Sequence, residues 1–406
     1  MGGCLGDFGG GYDFTERMDV EMTEKLFYRD AEMVEFEGEV LECVCEGDEG
    51  RYRVRLDRTG FFPEEGGQAA DRGTLDGIGV LDVQIEGDVV WHVLEGAVQV
   101  GKSVVGKVDW GRRFDFMQQH SGEHIVSGLV HGRFGFDNVG FHLGMEEVTL
   151  DFNGVLSLEQ LREIEREANE AVWRDLPVRV SFPEGEELER MSYRSKIELN
   201  GDVRIVEIPG VDVCACCAPH VKSTGQIGII KVTGVQSHRG GVRVNILCGA
   251  RALGDYSLRQ DSVSAVSVML SAKQEAVADA VNRLKEEGVK LRERCNGLQA
   301  RVLELKMEAL PSPREAENVV LFVGDLDTIA MRGAVNGLCE RYGGFCGIFA
   351  GDAEDGYRFI VGSASCDCRD MAARIRGELG GKCGGSAPMI QGSVCASEEK
   401  LRGLFE

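Results

Sequence analysis

The sequence predicts an α+β protein with four parts in order: an N-terminal small β-barrel, an α+β domain built round a zinc-type donor set, a helical, coiled-coil-like linker, and a C-terminal α/β domain. Three observations carry this prediction. Period-two alternation dominates the region before Trp110, as in "RYRVRLDRT" and "VLDVQIEGDVVWHVLEG". Two histidines one helical turn apart in "MQQHSGEH" are answered further along by a cysteine and a histidine with the same spacing in "CACCAPHV". A three-and-four apolar repeat from Gln274 to Ala309 then separates this region from a tail of short buried strands.

At 406 residues and 43% hydrophobic content, the chain has room for several domains of roughly 100–200 residues with packed cores. Residues 1–21, rich in glycine and acid, read as a disordered leader, with Met22 as a plausible start. No stretch approaches the roughly 20 apolar residues of a membrane span, and a soluble, cytoplasmic protein is expected. The 14 cysteines show no regular framework, so reduced thiols are expected. A net charge of −23 argues against a broad nucleic-acid-binding surface, although a basic groove can still sit on an acidic body.

The barrel domain is expected over residues 22–110, with Gly87-Asp88 as a hairpin turn and "FFPEEGGQAADRG" as an irregular Gly-rich segment. The α+β domain is expected over 111–256. Its first helix is predicted to start at Asp115 as N-cap and to stop near Gly132. Its second starts at Ser157, whose capping box closes with Gln160, and ends before Pro177. "VRVSF" and "VRIVEI" read as strands. Over 257–313 the apolar positions Val277, Val281, Leu284, Leu291, Leu298, Val302 and Leu305 predict a helical pair or modest coiled coil, with Gly288 and Gly297 arguing against one rigid rod. Residues 314–406 predict strands at "NVVLFVG", "GGFCGIFAG" and "YRFIVGSAS", with helices near 327–341 and 367–379.

Residues four apart on a helix share a face, so His120 and His124 can direct two nitrogens to one point. Cys216 and His220 repeat that spacing, and a thiolate with imidazoles is a zinc-type set. Cys214 and Cys217 lie close enough to compete as ligands. Asp212 is the candidate catalytic carboxylate, orienting a ligand or the attacking water.

These segments resemble the alanyl-tRNA editing proteins known as AlaX, in the long form that retains a synthetase-like tail domain. "FFPEEGGQAADRG" is similar to the family's Gly-rich motif, with Glu65 in place of its first glycine; "MQQHSGEH" resembles its His-pair motif; "VGFHLG" resembles a pocket segment; and "CCAPHVKSTGQIG" is similar to its Cys-His motif, usually CGGTHV. "GGKCGGSAPMIQG" resembles the tail domain's signature. The resemblance implies zinc held by His120, His124, Cys216 and His220. It also implies hydrolysis of the ester that joins serine, or glycine, to alanine tRNA. The alternatives are deacylation of another aminoacyl-tRNA, or a non-catalytic zinc-stabilised RNA-binding module. Cys217, Ala218 and Pro219 replace Gly, Gly and Thr of the family loop, which stiffens it and removes a hydroxyl. Gly66, Gly67, Gln68, Asn138 and His142 are the candidates for holding the amino acid or terminal adenosine. Lys222, Arg243, Arg251, Lys382, Gly384 and Gly385 are the candidates for contacting the acceptor end of tRNA(Ala). A homodimer through the helical linker and C-terminal domain is expected.

Overall fold

The computed structural model describes residues 22–47, 50–145, 147–195, 203–313 and 317–406. The expected leader lies outside them. The chain divides into two compact units, Met1–Ser262 and Val263–Glu406.

In the first unit, β1 (Glu35–Glu46), β2 (Arg51–Leu56), β3 (Gly73–Leu75), β4 (Ile78–Glu86), β5 (Val89–Leu94) and β6 (Ser103–Val108) pair in the order β1-β2-β5-β4-β3-β6 and close into a barrel. Alternate side chains fill it, among them Val40, Val54, Leu56, Leu75, Val83, Val90 and Leu94. The β4–β5 hairpin turns at Gly87-Asp88, as its sequence signal predicts. The Gly-rich segment forms no regular element and leaves the barrel towards the next layer.

That layer holds α1 (Trp110–Phe134), β7 (Asn138–Leu143), β8 (Val148–Phe152), α2 (Leu158–Trp173), β9 (Ile205–Ile208), β10 (Asp212–Ala215), β11 (Ile230–His238) and β12 (Gly241–Cys248). A four-stranded antiparallel sheet, ordered β11-β12-β8-β7, packs with α1 and α2 around Phe116, Ile125, Val126, Leu150, Leu161, Ile164 and Val244. β9 and β10 belong to a separate three-stranded sheet.

Both expected ends of the first helix need correction. Asp109, not Asp115, caps α1 by accepting from the Arg112 backbone N–H at 3.1 Å, and Gly135, with φ of 69°, ends it. Asp115 lies one turn inside because it serves Arg251, and Gly132 continues the helix. The second helix starts as read. Ser157 and Gln160 close both bonds of the capping box. Ser157→Ala is expected to cost about 1 kcal/mol, measurable as a small drop in the denaturation midpoint.

The helix α3 (Gly249–Met269) spans the boundary between the two units, and α4 (Val277–Glu308) lies in the second. The latter is one continuous helix of 32 residues, so Gly288 and Gly297 do not divide it. Its heptad leucines Leu284, Leu291, Leu298 and Leu305 are exposed. The rest of the second unit is β13 (Val319–Val323), α5 (Thr328–Cys339), β14 (Cys346–Asp352), β15 (Gly356–Gly362), α6 (Cys368–Leu379), β16 (Lys382–Ser386) and β17 (Met389–Val394). The sheet order is β13-β14-β15-β17-β16, with the first pair parallel and the others antiparallel. Strand alternation gives it two apolar faces: Leu321, Ile348 and Ile360 meet α5 and Leu303 of α4, while Phe322, Phe349 and Phe359 meet α6 and Leu404.

Candidate active site

From Phe116 to Gly128 helix α1 is buried on every side, although the stretch contains Gln118, Gln119, His120, Ser121, Glu123, His124 and Ser127. Buried polar groups need partners, so such a helix marks a built site. Gly128 explains how the opposing strand comes so near. A Cβ there would lie 2.4 Å from the Val211 carbonyl oxygen, so the missing side chain lets the β9–β10 turn press Asp212 against the helix.

One atom from each of His120, His124, Cys216 and His220 lies within 4.8 Å of all the others. Cys216 Sγ is 3.6 Å from His120 Nε2 and 3.3 Å from His220 Nε2. The ring centroids of His124 and His220 are 4.6 Å apart. All three imidazoles are oriented through the other nitrogen. His120 Nδ1 meets Gln68 Oε1 at 2.9 Å, His124 Nδ1 meets Asp212 Oδ2 at 2.9 Å, and His220 Nδ1 meets Ser121 Oγ at 3.0 Å. With each Nδ1–H donating outward, the Nε2 lone pairs converge on the sulfur.

The donors fit a metal ion. His124 Nε2 is buried and has no hydrogen-bond partner. Four donors bound at about 2.0–2.3 Å in a tetrahedron would stand roughly 3.3–3.8 Å apart, close to the spacings seen here. Electrostatics agree. Burial pushes the Cys216 thiol up, but His120 and His220 outweigh it and hold it well below the ordinary thiol range. Burial pulls His220 down to about 3, leaving it a neutral donor. Burial also disfavours charge on His124, yet Asp212 and Cys216 overcome this and raise it to about 9, so without metal this ring carries a proton that an incoming metal ion would displace.

The expected competitors are not in this set. Cys214 groups instead with His124 and Asp212, and burial raises its thiol to about 12. Cys217 points into a cluster with Phe27, Phe62, Ala218 and Tyr28.

Asp212 braces His124. It is buried, with one face on His124 and the other clamped by Arg194, whose Nε and Nη2 donate at 2.8 and 2.9 Å. The Gly-rich segment reaches the site because Gly66 and Gly67 adopt φ of 62° and 80°. The Leu143 N–H donates to the Gly67 carbonyl at 3.2 Å, and a Cβ on Gly67 would lie 3.0 Å from the Phe141 carbonyl. Gln68 is thereby buried, with its Oε1 on His120 and its Nε2 unpartnered.

Asn138 lies deeper than expected. Its Nδ2 donates to Glu123 Oε1 at 2.7 Å. The Phe141 ring packs on His120 at 4.8 Å, so the next residue of the pleated strand, His142, faces the other way and is exposed. The expected cations are committed to ion pairs. Lys222 holds Asp30 and Glu32 at 3.1 and 2.7 Å, Arg243 holds Asp151 at 2.6 Å, and Arg251 holds Asp115 at 2.9 Å. In the second unit, Lys382 opens the edge strand β16, and Gly384 and Gly385 line a pocket of about 380 Å³ with Arg332 and Gln391.

Sequence reasoning missed Arg194 and Arg204. The latter donates to the Cys216 and Ala218 carbonyls at 2.7 and 2.9 Å and stacks on Tyr28, fixing the Cys-His loop. A buried arginine beside the Cys-His motif carries no local signal of which carbonyl it will find.

Fold and site together define an α+β protein with a candidate metal centre. Residues 203–245, which carry Cys216 and His220, match the family described as threonyl and alanyl tRNA synthetase second additional domain, and residues 12–112 match class II (A) tRNA synthetases. Across 94% of its length the chain is 27% identical to the alanyl-tRNA editing protein AlaX-L of Pyrococcus horikoshii, covering 96% of that protein. It is 34% identical to the alanine–tRNA ligase of Methanopyrus kandleri over 82% of its length, and 32% identical to that of Pyrobaculum neutrophilum over 95%. It spans 38% and 44% of those two ligases, less than half of either. The chain is a relative of the long-form AlaX alanyl-tRNA editing proteins. Among the described residues no helix is long and apolar enough to cross a membrane.

Proposed function

We propose that the chain is a zinc-dependent deacylase that hydrolyses the ester of mischarged tRNA(Ala), releasing serine and, secondarily, glycine. The observation that carries this is the convergence of three braced imidazoles and one thiolate beside an open Gly-rich rim. The donor set selects zinc over harder cations, because sulfur and imidazole nitrogen suit a borderline-soft ion. When bound, zinc supplies a Lewis-acidic centre that polarises an ester carbonyl.

The remaining work falls to the chain. Gln68, Asp212 and Ser121 hold the imidazole rings in one orientation, so no reorganisation is needed when substrate arrives. Three donors are fully enclosed, whereas Cys216 is partly exposed and forms the substrate side of the site. Phe141 covers His120 and keeps water from its flank. Gly66 and Gly67 are exposed and bring bare backbone to the rim, where the acyl group and the terminal adenosine can approach closely. The ester is already activated, so positioning supplies much of the required acceleration.

The need for such an activity follows from physical limits on recognition. A pocket that accepts alanine cannot strongly reject glycine, nor an amino acid that only adds a hydroxyl, and a second hydrolytic site restores accuracy. The test is a deacylation panel with seryl-, glycyl- and alanyl-tRNA(Ala) and other aminoacyl-tRNAs. Zinc-loaded protein is expected to release serine fastest and to spare alanine. Hydrolysis confined to another aminoacyl-tRNA would reassign the substrate, and none at all would leave the metal a structural role.

A further inference from the structure

Glu65 and Cys217 occupy positions where the resembled family carries glycines, and in the structure these two departures meet. The Cys217 thiol and the Glu65 carboxylate are electrostatic neighbours. A Cβ on Gly66 would lie 2.9 Å from Cys217 Sγ, so the Gly-rich segment and the Cys-His loop touch at this point. Tyr28 shares the electrostatic neighbourhood of both side chains. Glu65, Cys217 and Tyr28 are each partly exposed beside the exposed Gly66 and Gly67. Among the described residues Glu65 has no lysine or arginine within ion-pair distance, whereas nearby Asp30 and Glu32 are taken by Lys222. Arg204, the cation on this side, donates through Nη1 to the Cys216 and Ala218 carbonyls.

An aminoacyl ester carries an ammonium group two bonds from the carbonyl carbon under attack. Wherever that carbonyl faces the four-donor centre, the ammonium falls within the ring of groups around it. A cation there is disfavoured beside a metal ion unless an anion offsets it. We infer that Glu65, where the Gly-rich segment touches the Cys-His loop, is a specificity-determining residue that receives the α-ammonium of the aminoacyl ester. The inference rests on the deacylase reading and adds a substrate requirement to it: a free, charged α-amino group.

The experiment uses the zinc-loaded full chain and its Glu65→Gln variant. Each is titrated calorimetrically with an amide-linked, non-hydrolysable seryl-adenosine and with the α-hydroxy counterpart that replaces the ammonium by a hydroxyl. Wild type is expected to bind the ammonium form roughly tenfold to a hundredfold more tightly. Glu65→Gln is expected to lose that preference while keeping the zinc content of wild type. Equal binding of both ligands by wild type, or an unchanged preference in Glu65→Gln, overturns the assignment. Turnover of seryl-tRNA(Ala) by wild type is measured in parallel. Its absence would overturn the deacylase reading and this inference with it, while turnover without an ammonium preference would sink this inference alone.

Discussion

Cys216→Ser is expected to give a folded protein that has lost most of its zinc and at least about a thousandfold of its deacylation rate, on the order of 4 kcal/mol of transition-state stabilisation. The fold should survive because Cys216 sits at the end of β10 with its backbone tied to Arg204, and a hydroxyl fits the space. The donor set would not survive. His120 and His220 face the sulfur at 3.6 and 3.3 Å and together hold it as a thiolate against the cost of burial. A serine hydroxyl does not ionise under that field, and hard oxygen replaces the soft anion that favours zinc. Zinc content after dialysis, measured by elemental mass spectrometry, and single-turnover release of serine from seryl-tRNA(Ala) are the two readouts. Full zinc occupancy with an undiminished rate would remove Cys216 from the centre. His124→Ala is expected to behave alike, because it empties the ring braced by Asp212 and Arg194.

How far the sequence could lead depended on the range over which each feature is set. The His120–His124 spacing and the Ser157–Gln160 capping box are settled within one helical turn, and both appear as read. The start of α1 was misplaced because two aspartates competed locally, and the contact that removes Asp115 from capping comes from Arg251, far along the chain. The same range explains the cations. Lys222, Arg243 and Arg251 look like free positive charge in one dimension, but folding brings Asp30, Glu32, Asp151 and Asp115 against them. Asp212 reads from the sequence as a carboxylate near the ligands, but only the geometry places it against the His124 ring. His142 illustrates another limit: a motif aligns residues without assigning strand faces, and pleating turns Phe141 onto His120 and leaves His142 exposed. The continuity of α4 shows that the cost of two glycines, roughly 1 kcal/mol each, is absorbed over a helix of 32 residues.

Asp71→Ala is expected to destabilise the first unit by about 3–5 kcal/mol, the largest effect foreseen for any residue outside the four-donor cluster. Asp71 and Arg113 are both fully buried, and the guanidinium grips the carboxylate through Nε at 3.0 and 2.9 Å and through Nη2. The other donors of Arg113 reach the Ala31 and Gly60 carbonyls at 2.9 and 2.7 Å. Asp71 in turn accepts from the Phe62 backbone N–H at 2.6 Å. One ion pair therefore ties α1, the Gly-rich segment and the edge of the barrel together, and so sets where Gln68 meets His120. Removing the carboxylate strands a buried cation, which costs more than the pair itself contributes. Asp71→Ala combined with Arg113→Met should consequently recover part of the loss, although neither change adds a contact. Urea midpoints of the zinc-loaded wild type, both single variants and the double variant read this directly. A double variant less stable than the sum of the two single losses would show that the pair is not the tie that holds this junction.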